Sequence, residues 1–83
     1  MDLRNEIRRA LLLEHLEVAS QRLADGEHQI NRQKVLIADL TRAGQDASPA
    51  ESFLGELKAA QVVHLASRDR IERELKTLRD LPL

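Results

Sequence analysis

Residues 44–51, which read Gly-Gln-Asp-Ala-Ser-Pro-Ala-Glu, decide how this chain folds because they combine a helix stop, a turn and a helix start. Gly44 follows a long periodic segment and can end a helix in the left-handed conformation, where a residue without Cβ carries no penalty. Ser48 is expected to cap the next helix, with Pro49 at its first position and Glu51 completing a capping box. The alternative is a kinked continuous helix, which proline opposes. We therefore predict that the chain folds back on itself here.

Composition favours long helices over a compact core. The chain has 83 residues, of which 33% are charged, and Phe53 is its only aromatic residue. Such a composition is typical of exposed or coiled helices, and a chain this short has a marginal core of its own. It has no cysteine, which excludes disulfides and thiolate chemistry. No apolar run is long enough for a signal peptide or a membrane span, so a cytoplasmic protein is expected.

A heptad pattern predicts a first helix over residues 2–43, with Asp2 as its cap. The residues of its core-facing seam are Leu12, Leu16, Ala19, Leu23, Gly26, Ile30, Gln33, Ile37 and Leu40. A seam sustained over several heptads is typical of a coiled coil. The alternative is a break at Asp25-Gly26, which would give a three-helix bundle. The heptad phase continues across Gly26 and favours one helix, in which the glycine lets the opposite helix approach.

A second helix is predicted over residues 49–81, after a turn at 44–48, and Pro82 closes it. Its seam residues are Ala50, Leu54, Leu57, Gln61, His64, Arg68, Ile71, Leu75 and Leu78. The fold class is therefore all-α: a single antiparallel two-helix hairpin, coiled-coil-like, over residues 1–83.

The register of this hairpin is inferred from loop length alone. It places Gly26 opposite Arg68, where the missing side chain makes room for a guanidinium. The second helix then ends opposite about residue 13, so the first helix overhangs it by about ten residues, roughly 15 Å.

Several apolar residues lie outside both seams. They are Leu3, Ile7, Leu11, Leu36, Phe53, Val62, Val63 and Leu65. A two-helix hairpin cannot bury such a surface, so we expect a homo-oligomer, most simply two hairpins forming a four-helix bundle. Alternatively, Leu3, Ile7 and Leu11 could form a membrane-surface helix together with Leu12. Acidic Asp2, Glu6 and Glu14 oppose anionic lipid, so a protein partner fits better.

A polar belt interrupts the seams. Its members are Gly26, Gln33, Gln61, His64 and Arg68. One interpretation is a site for a small anion or carboxylate. The favoured interpretation is a register device, because buried polar groups at seam positions fix alignment and oligomeric state. No nucleophile or acid–base pair converges, so we expect neither enzymatic activity nor a cofactor.

The histidines and the arginine-rich segment of the second helix are the remaining candidates for ligand binding. His15, His28 and His64 fall at different heptad positions without i,i+4 spacing, so surface histidines are expected and no metal site. Residues 68–70, Arg-Asp-Arg, and Arg73 could contact nucleic acid. Interleaved acids, and a net charge of −1 for the whole chain, favour a solvated charged face.

A family resemblance rests on a set of residues spread over positions 15–76. They are Gly26-Glu27, Ile30, Gln33, Ile37, Leu40, Gly44, Asp46, Ala50, Leu54, Leu57, His64 and Arg68-Asp69-Arg70. With these residues the chain resembles a group of small, uncharacterised helical-hairpin proteins of alphaproteobacteria. The resemblance implies a bacterial intracellular hairpin and no established activity.

The sequence therefore predicts a non-enzymatic interaction or assembly protein. In this hypothesis a self-associating hairpin presents a helical surface to a protein partner. The alternative hypothesis is a small regulatory adaptor that binds nucleic acid or a transcription factor through its Arg68 to Arg79 end.

Overall fold

The computed structural model describes residues 3–81, and these form a hairpin of two antiparallel helices. Helix α1 runs over Leu3–Arg42 and α2 over Ser48–Arg79. The hairpin is a rod with extents of 65 × 14 × 13 Å. The all-α hairpin expected from the heptads is confirmed. The predicted cap Asp2 and the terminating Pro82 lie outside the described residues.

Helix α1 ends in a Schellman motif built around Gly44. The Gly44 N–H donates to the Thr41 carbonyl at 3.1 Å, and the Gln45 N–H donates to the Leu40 carbonyl at 2.9 Å. These bonds satisfy carbonyls that the helix end leaves open. Gly44 has φ 73°, the left-handed conformation that the sequence predicts.

The start of α2 differs from the prediction by one residue. Ala47, not Ser48, is the N-cap: its carbonyl accepts the Glu51 N–H at 2.9 Å, and no side chain caps the helix. The Ser48 N–H donates instead to Asp46 Oδ1 at 3.0 Å. Because Asp46 satisfies this amide from two residues upstream, Ser48 is already helical and Pro49 moves to the second position. The predicted hydroxyl cap and capping box are therefore wrong.

The two seams lie where the heptads place them. Every predicted seam residue is partly or fully buried, and the α1 residues between Leu12 and Leu40 that are not in the seam are exposed. Leu12 and Ala19 are only 7% and 6% exposed, and Ala47 under the turn is 9% exposed. Helix α1 continues through Gly26, so the three-helix alternative is wrong.

The predicted register is wrong by one heptad. Gln61, not Arg68, lies over Gly26. Since the seam repeats every heptad, sliding one helix by one heptad keeps the apolar layers in contact. Only residues 43–47 separate the two helices, and loop length alone did not predict the alignment that they connect.

The shifted register shortens the predicted overhang of α1. Arg79, in the last turn of α2, lines the same small groove as Arg9 of α1. The overhang is therefore about five residues, roughly 7 Å at helical rise. Leu11 lies within the paired length and is nevertheless 49% exposed, because it faces away from α2.

Candidate functional site

Two glutamines cross the seam in opposite directions. Gln61 Nε2 on α2 donates to the Leu23 carbonyl of α1 at 2.6 Å, and Gln33 Nε2 on α1 donates to the Ala50 carbonyl of α2 at 2.9 Å. Gly26 gives Gln61 its room. A Cβ at position 26 would lie 2.8 Å from Gln61 Cδ, well inside the carbon–carbon contact distance of about 3.5–4.0 Å. The helices therefore interlock at the Gly26–Gln61 level.

The α2 part of the polar belt contains buried polar atoms with no hydrogen-bond partner. They are Gln61 Oε1, His64 Nδ1 and Arg68 Nε. The Arg68 guanidinium lies 3.3 Å from Asp69 through Nη2, but 3.8 Å from Glu72 through Nε, too long for a hydrogen bond. Each unpartnered buried group costs about 1–3 kcal/mol.

The belt therefore carries a cost in stability, although its two glutamines hydrogen-bond across the helices. The structure brings Gly26 and Gln61 into contact, while Gln33 reaches the backbone nearer the turn. Its role as a register device stays a prediction, and so does its role as a ligand site.

An open groove of about 520 Å³ lies between the helices on one side of the rod. Leu12, Ala19 and Ile71 form its apolar floor, and its rim carries exposed Val18 together with His15, Arg22, Ser67, Arg70 and Glu74. We call this side of the hairpin the groove side. A smaller groove of about 240 Å³, which includes Leu13, Glu72 and Lys76, marks the opposite side.

The heptad repeat assigns the exposed apolar residues to these sides. Leu36 falls three heptads after His15 and Phe53 two heptads before Ser67, so both project on the groove side. They are 46% and 49% exposed. Val63 lies on the same side by the same count. Leu36 and Phe53 therefore form one apolar projection near the turn.

The remaining apolar residues lie elsewhere on the rod. Val62 and Leu65 precede Lys76 and Glu72 by whole heptads and so belong to the opposite side. A third set, Leu3, Ile7 and Leu11, forms a stripe along the outer surface of α1 that reaches the edge of the groove side at Leu11, one heptad before Val18. The residues predicted to form an oligomer or partner face are thus divided among three surfaces.

The groove itself was missed by the sequence reasoning, which considered the seam and not the positions that flank it. His15, Arg22 and Arg70 recur at flanking positions of the heptad, and this spacing is a signal that could have revealed the rim. Exposed Leu13, at the smaller groove, was missed for the same reason.

The hairpin exposes more surface than a compact protein of its mass. Its accessible surface is 6572 Å², whereas a compact protein of 9.4 kDa exposes about 5,000 Å². The excess is about 1,600 Å² per chain. The radius of gyration is 18.9 Å, against about 12 Å for a globular domain of this length. No large side chain among the described residues is fully buried.

Charged side chains at the open end are paired with one another. Arg8 and Glu74 meet across the helices at 3.8 Å, and Arg79 lies 3.5 Å from Asp80. These side chains are largely exposed, so each pair contributes only about 0–1 kcal/mol. Together with the pairs made by Arg68, they leave this end mixed in charge.

The histidines lie apart from one another. His15 is on the groove rim, His28 is exposed, and His64, expected at the surface, is half-buried in the seam. Within residues 3–81, no three His, Asp or Glu side chains converge so as to hold a metal ion.

No family model, curated protein or solved structure matches this chain at a significant score. Neither helix of residues 3–81 includes a stretch long and apolar enough to cross a bilayer.

Proposed function

We propose that this chain is a non-enzymatic assembly protein, a helical hairpin that self-associates and presents its remaining helical surface to a protein partner. The observation that carries the proposal is the excess accessible surface of about 1,600 Å² per chain. A standard protein interface takes about 800 Å² from each partner. A homodimer that forms a four-helix bundle would therefore bury about half of the excess, and the other half would be available for a second contact.

The thin core supports the same proposal. Leu12 and Ala19 are the most deeply buried side chains of the helices, and neither is completely enclosed. Helices gain most of their stability from packing against other elements. Since the single hairpin packs little, its folding is linked to association, and its stability depends on protein concentration.

The stripe of Leu3, Ile7 and Leu11 is the surface we propose for a protein partner. Its spacing of four residues gives one apolar edge on a helix, the pattern by which helices dock in grooves. Its residues are between 49% and 66% exposed. The bacterial cytoplasm, which the family resemblance implies, is the proposed location.

The adaptor alternative has less support. Arg68 and Arg79 already pair with Asp69 and Asp80, so fewer positive charges are available for phosphates. Binding to nucleic acid would show an affinity that falls steeply as salt rises.

Light scattering after size exclusion, over a hundredfold range of concentration, tests the proposal. We expect a dimer at high concentration, and helical circular dichroism that falls on dilution as the dimer dissociates. A fully helical monomer at every concentration would contradict self-association.

A further inference from the structure

We propose that the groove side binds a second copy of this chain, packed antiparallel about a two-fold axis near Ala60. Leu36 and Phe53 of each copy then occupy the groove of the other. This inference rests on the proposed self-association and specifies its interface.

The positions of groove and projection fit this symmetry. The Gly26–Gln61 contact marks a level near the middle of the rod. Leu36 and Phe53 lie ten and eight residues from it towards the turn, and Ala19 and Ile71 of the groove lie seven and ten residues from it towards the open end, about 10–15 Å each way. A two-fold axis perpendicular to the rod at this level places the turn half of one copy over the open-end half of the other copy. It therefore brings each apolar projection over the groove of the second copy.

A parallel arrangement of the two groove sides would be less favourable than the antiparallel one. It would place groove over groove and projection over projection, leaving both cavities of about 520 Å³ unfilled. It would also bring the basic rims, with Arg22 and Arg70, towards one another. Like charges facing each other across an interface are unfavourable. The antiparallel arrangement avoids both problems.

Charge complementarity provides an independent argument. Glu56 and Arg70 lie one heptad before and one heptad after Val63, and so project on the same side. The axis at the Gly26–Gln61 level lies two residues from Val63, so it places Glu56 of one copy about one helical turn from the level of Arg70 of the second copy. The antiparallel arrangement therefore brings these opposite charges close to each other.

Small side chains at the axis allow close approach. Ala60 lies on the groove side one heptad before Ser67 and is exposed. Helices with small residues at their contact can pack at the lower end of the usual 8–10 Å interaxial distance, about 8 Å. The two copies of α2 can therefore meet at Ala60 while the projections reach the grooves.

Cysteine cross-linking tests the axis, because the chain has no cysteine of its own. We expect Ala60→Cys to form a disulfide-linked dimer under mild oxidation, since the axis brings this position close to its own copy. Val62→Cys is the matched control: it is exposed on the same helix and projects on the opposite side. We expect it to stay unlinked. Circular dichroism checks that both variants fold.

The outcomes separate this inference from the proposed function. A dimer that cross-links through Val62→Cys and not through Ala60→Cys would keep self-association and overturn the groove-side interface. Cross-linking between Ala60→Cys and Gln29→Cys, with none between two Ala60→Cys chains, would indicate the parallel arrangement and also overturn it. A monomer at all concentrations would contradict both proposals.

A charge exchange tests the alignment of the two copies. We expect Glu56→Arg or Arg70→Glu alone to weaken dimerisation about tenfold or more, since each brings like charges close together across the interface. The double variant restores opposite charges and should recover most of the affinity. Unchanged dissociation in both single variants would overturn the antiparallel alignment.

Discussion

Replacing Gly26 by alanine should change the free energy of unfolding in opposite directions depending on the residue at position 61. Alanine is favoured over glycine in a helix interior by about 1 kcal/mol. At position 26, however, the new Cβ would lie 2.8 Å from Gln61 Cδ, so the amide of Gln61 must move. That amide donates to the Leu23 carbonyl at 2.6 Å. Its displacement breaks the bond and leaves a buried donor unpaired.

The sizes of the hydrogen-bond loss and of the propensity gain decide whether Gly26→Ala lowers or raises the free energy of unfolding. Losing the bond and leaving Gln61 Nε2 unpaired costs about 1–3 kcal/mol, which outweighs the propensity gain. We therefore expect Gly26→Ala to lower the free energy of unfolding by about 1 kcal/mol. In a Gln61→Ala background the space is free, so Gly26→Ala should raise it by about 1 kcal/mol. The coupling between the two positions is then about 2 kcal/mol, within the range for residues in contact.

Urea unfolding followed by circular dichroism measures these differences, at one fixed protein concentration because association contributes to stability. Gly55→Ala is the matched control. It replaces a glycine inside α2 whose Cβ would meet no atom within 4 Å, so the propensity gain of about 1 kcal/mol should appear undiminished. If Gly26→Ala alone stabilises the protein as much as Gly55→Ala, Gln61 does not occupy the space over Gly26 and the reasoning fails.

Three further predictions concern the turn and the seam. Gly44→Ala should lower the free energy of unfolding by about 1–2 kcal/mol, measured by urea unfolding, because φ 73° is unfavourable for a residue with Cβ. Hydrogen bonds from the backbone N–H and then the hydroxyl of Ser48 lower the pKa of the Asp46 carboxyl, so their stabilisation is complete above the ordinary pKa of an aspartate and is lost as pH falls through the lowered value. Thermal unfolding of Asp46→Asn, whose amide oxygen can still accept the bond, should lack this acidic loss, and a loss equal to that of the unchanged chain would refute the assignment. His64→Leu should raise the free energy of unfolding by about 1–3 kcal/mol because it removes the unpartnered Nδ1, whereas exposed His28→Leu should change it by less than about 0.5 kcal/mol.

The helices and the buried faces could be predicted from the sequence because both depend on short-range periodicity. A heptad seam identifies which residues of a helix meet another helix, whatever the partner's alignment. Gly44 was equally predictable, since its place after a periodic segment has a local backbone reason.

The register could not be predicted, because alignments one heptad apart bury the same kind of residue. The observed alignment includes a turn in which Asp46 accepts a hydrogen bond from the Ser48 amide, and the helix start lies one residue earlier than predicted. It also includes the contact of Gln61 with Gly26, which becomes visible only in three dimensions. The rim of the groove had a signal in the sequence, the heptad spacing of His15, Arg22 and Arg70, but the way the two helices combine to form the groove depends on this register.

The turn at one end of the rod has a mechanical consequence. Residues 3 and 81 lie at the same tip, so a force pulling them apart acts on one layer of the hairpin at a time. Separation then starts near Leu12 and Leu75 and travels towards Leu40, and the force at any moment reflects a single layer. In a force–extension trace the force should rise where the hydrogen bond from Gln61 breaks, and again, nearer the turn, where the hydrogen bond from Gln33 breaks.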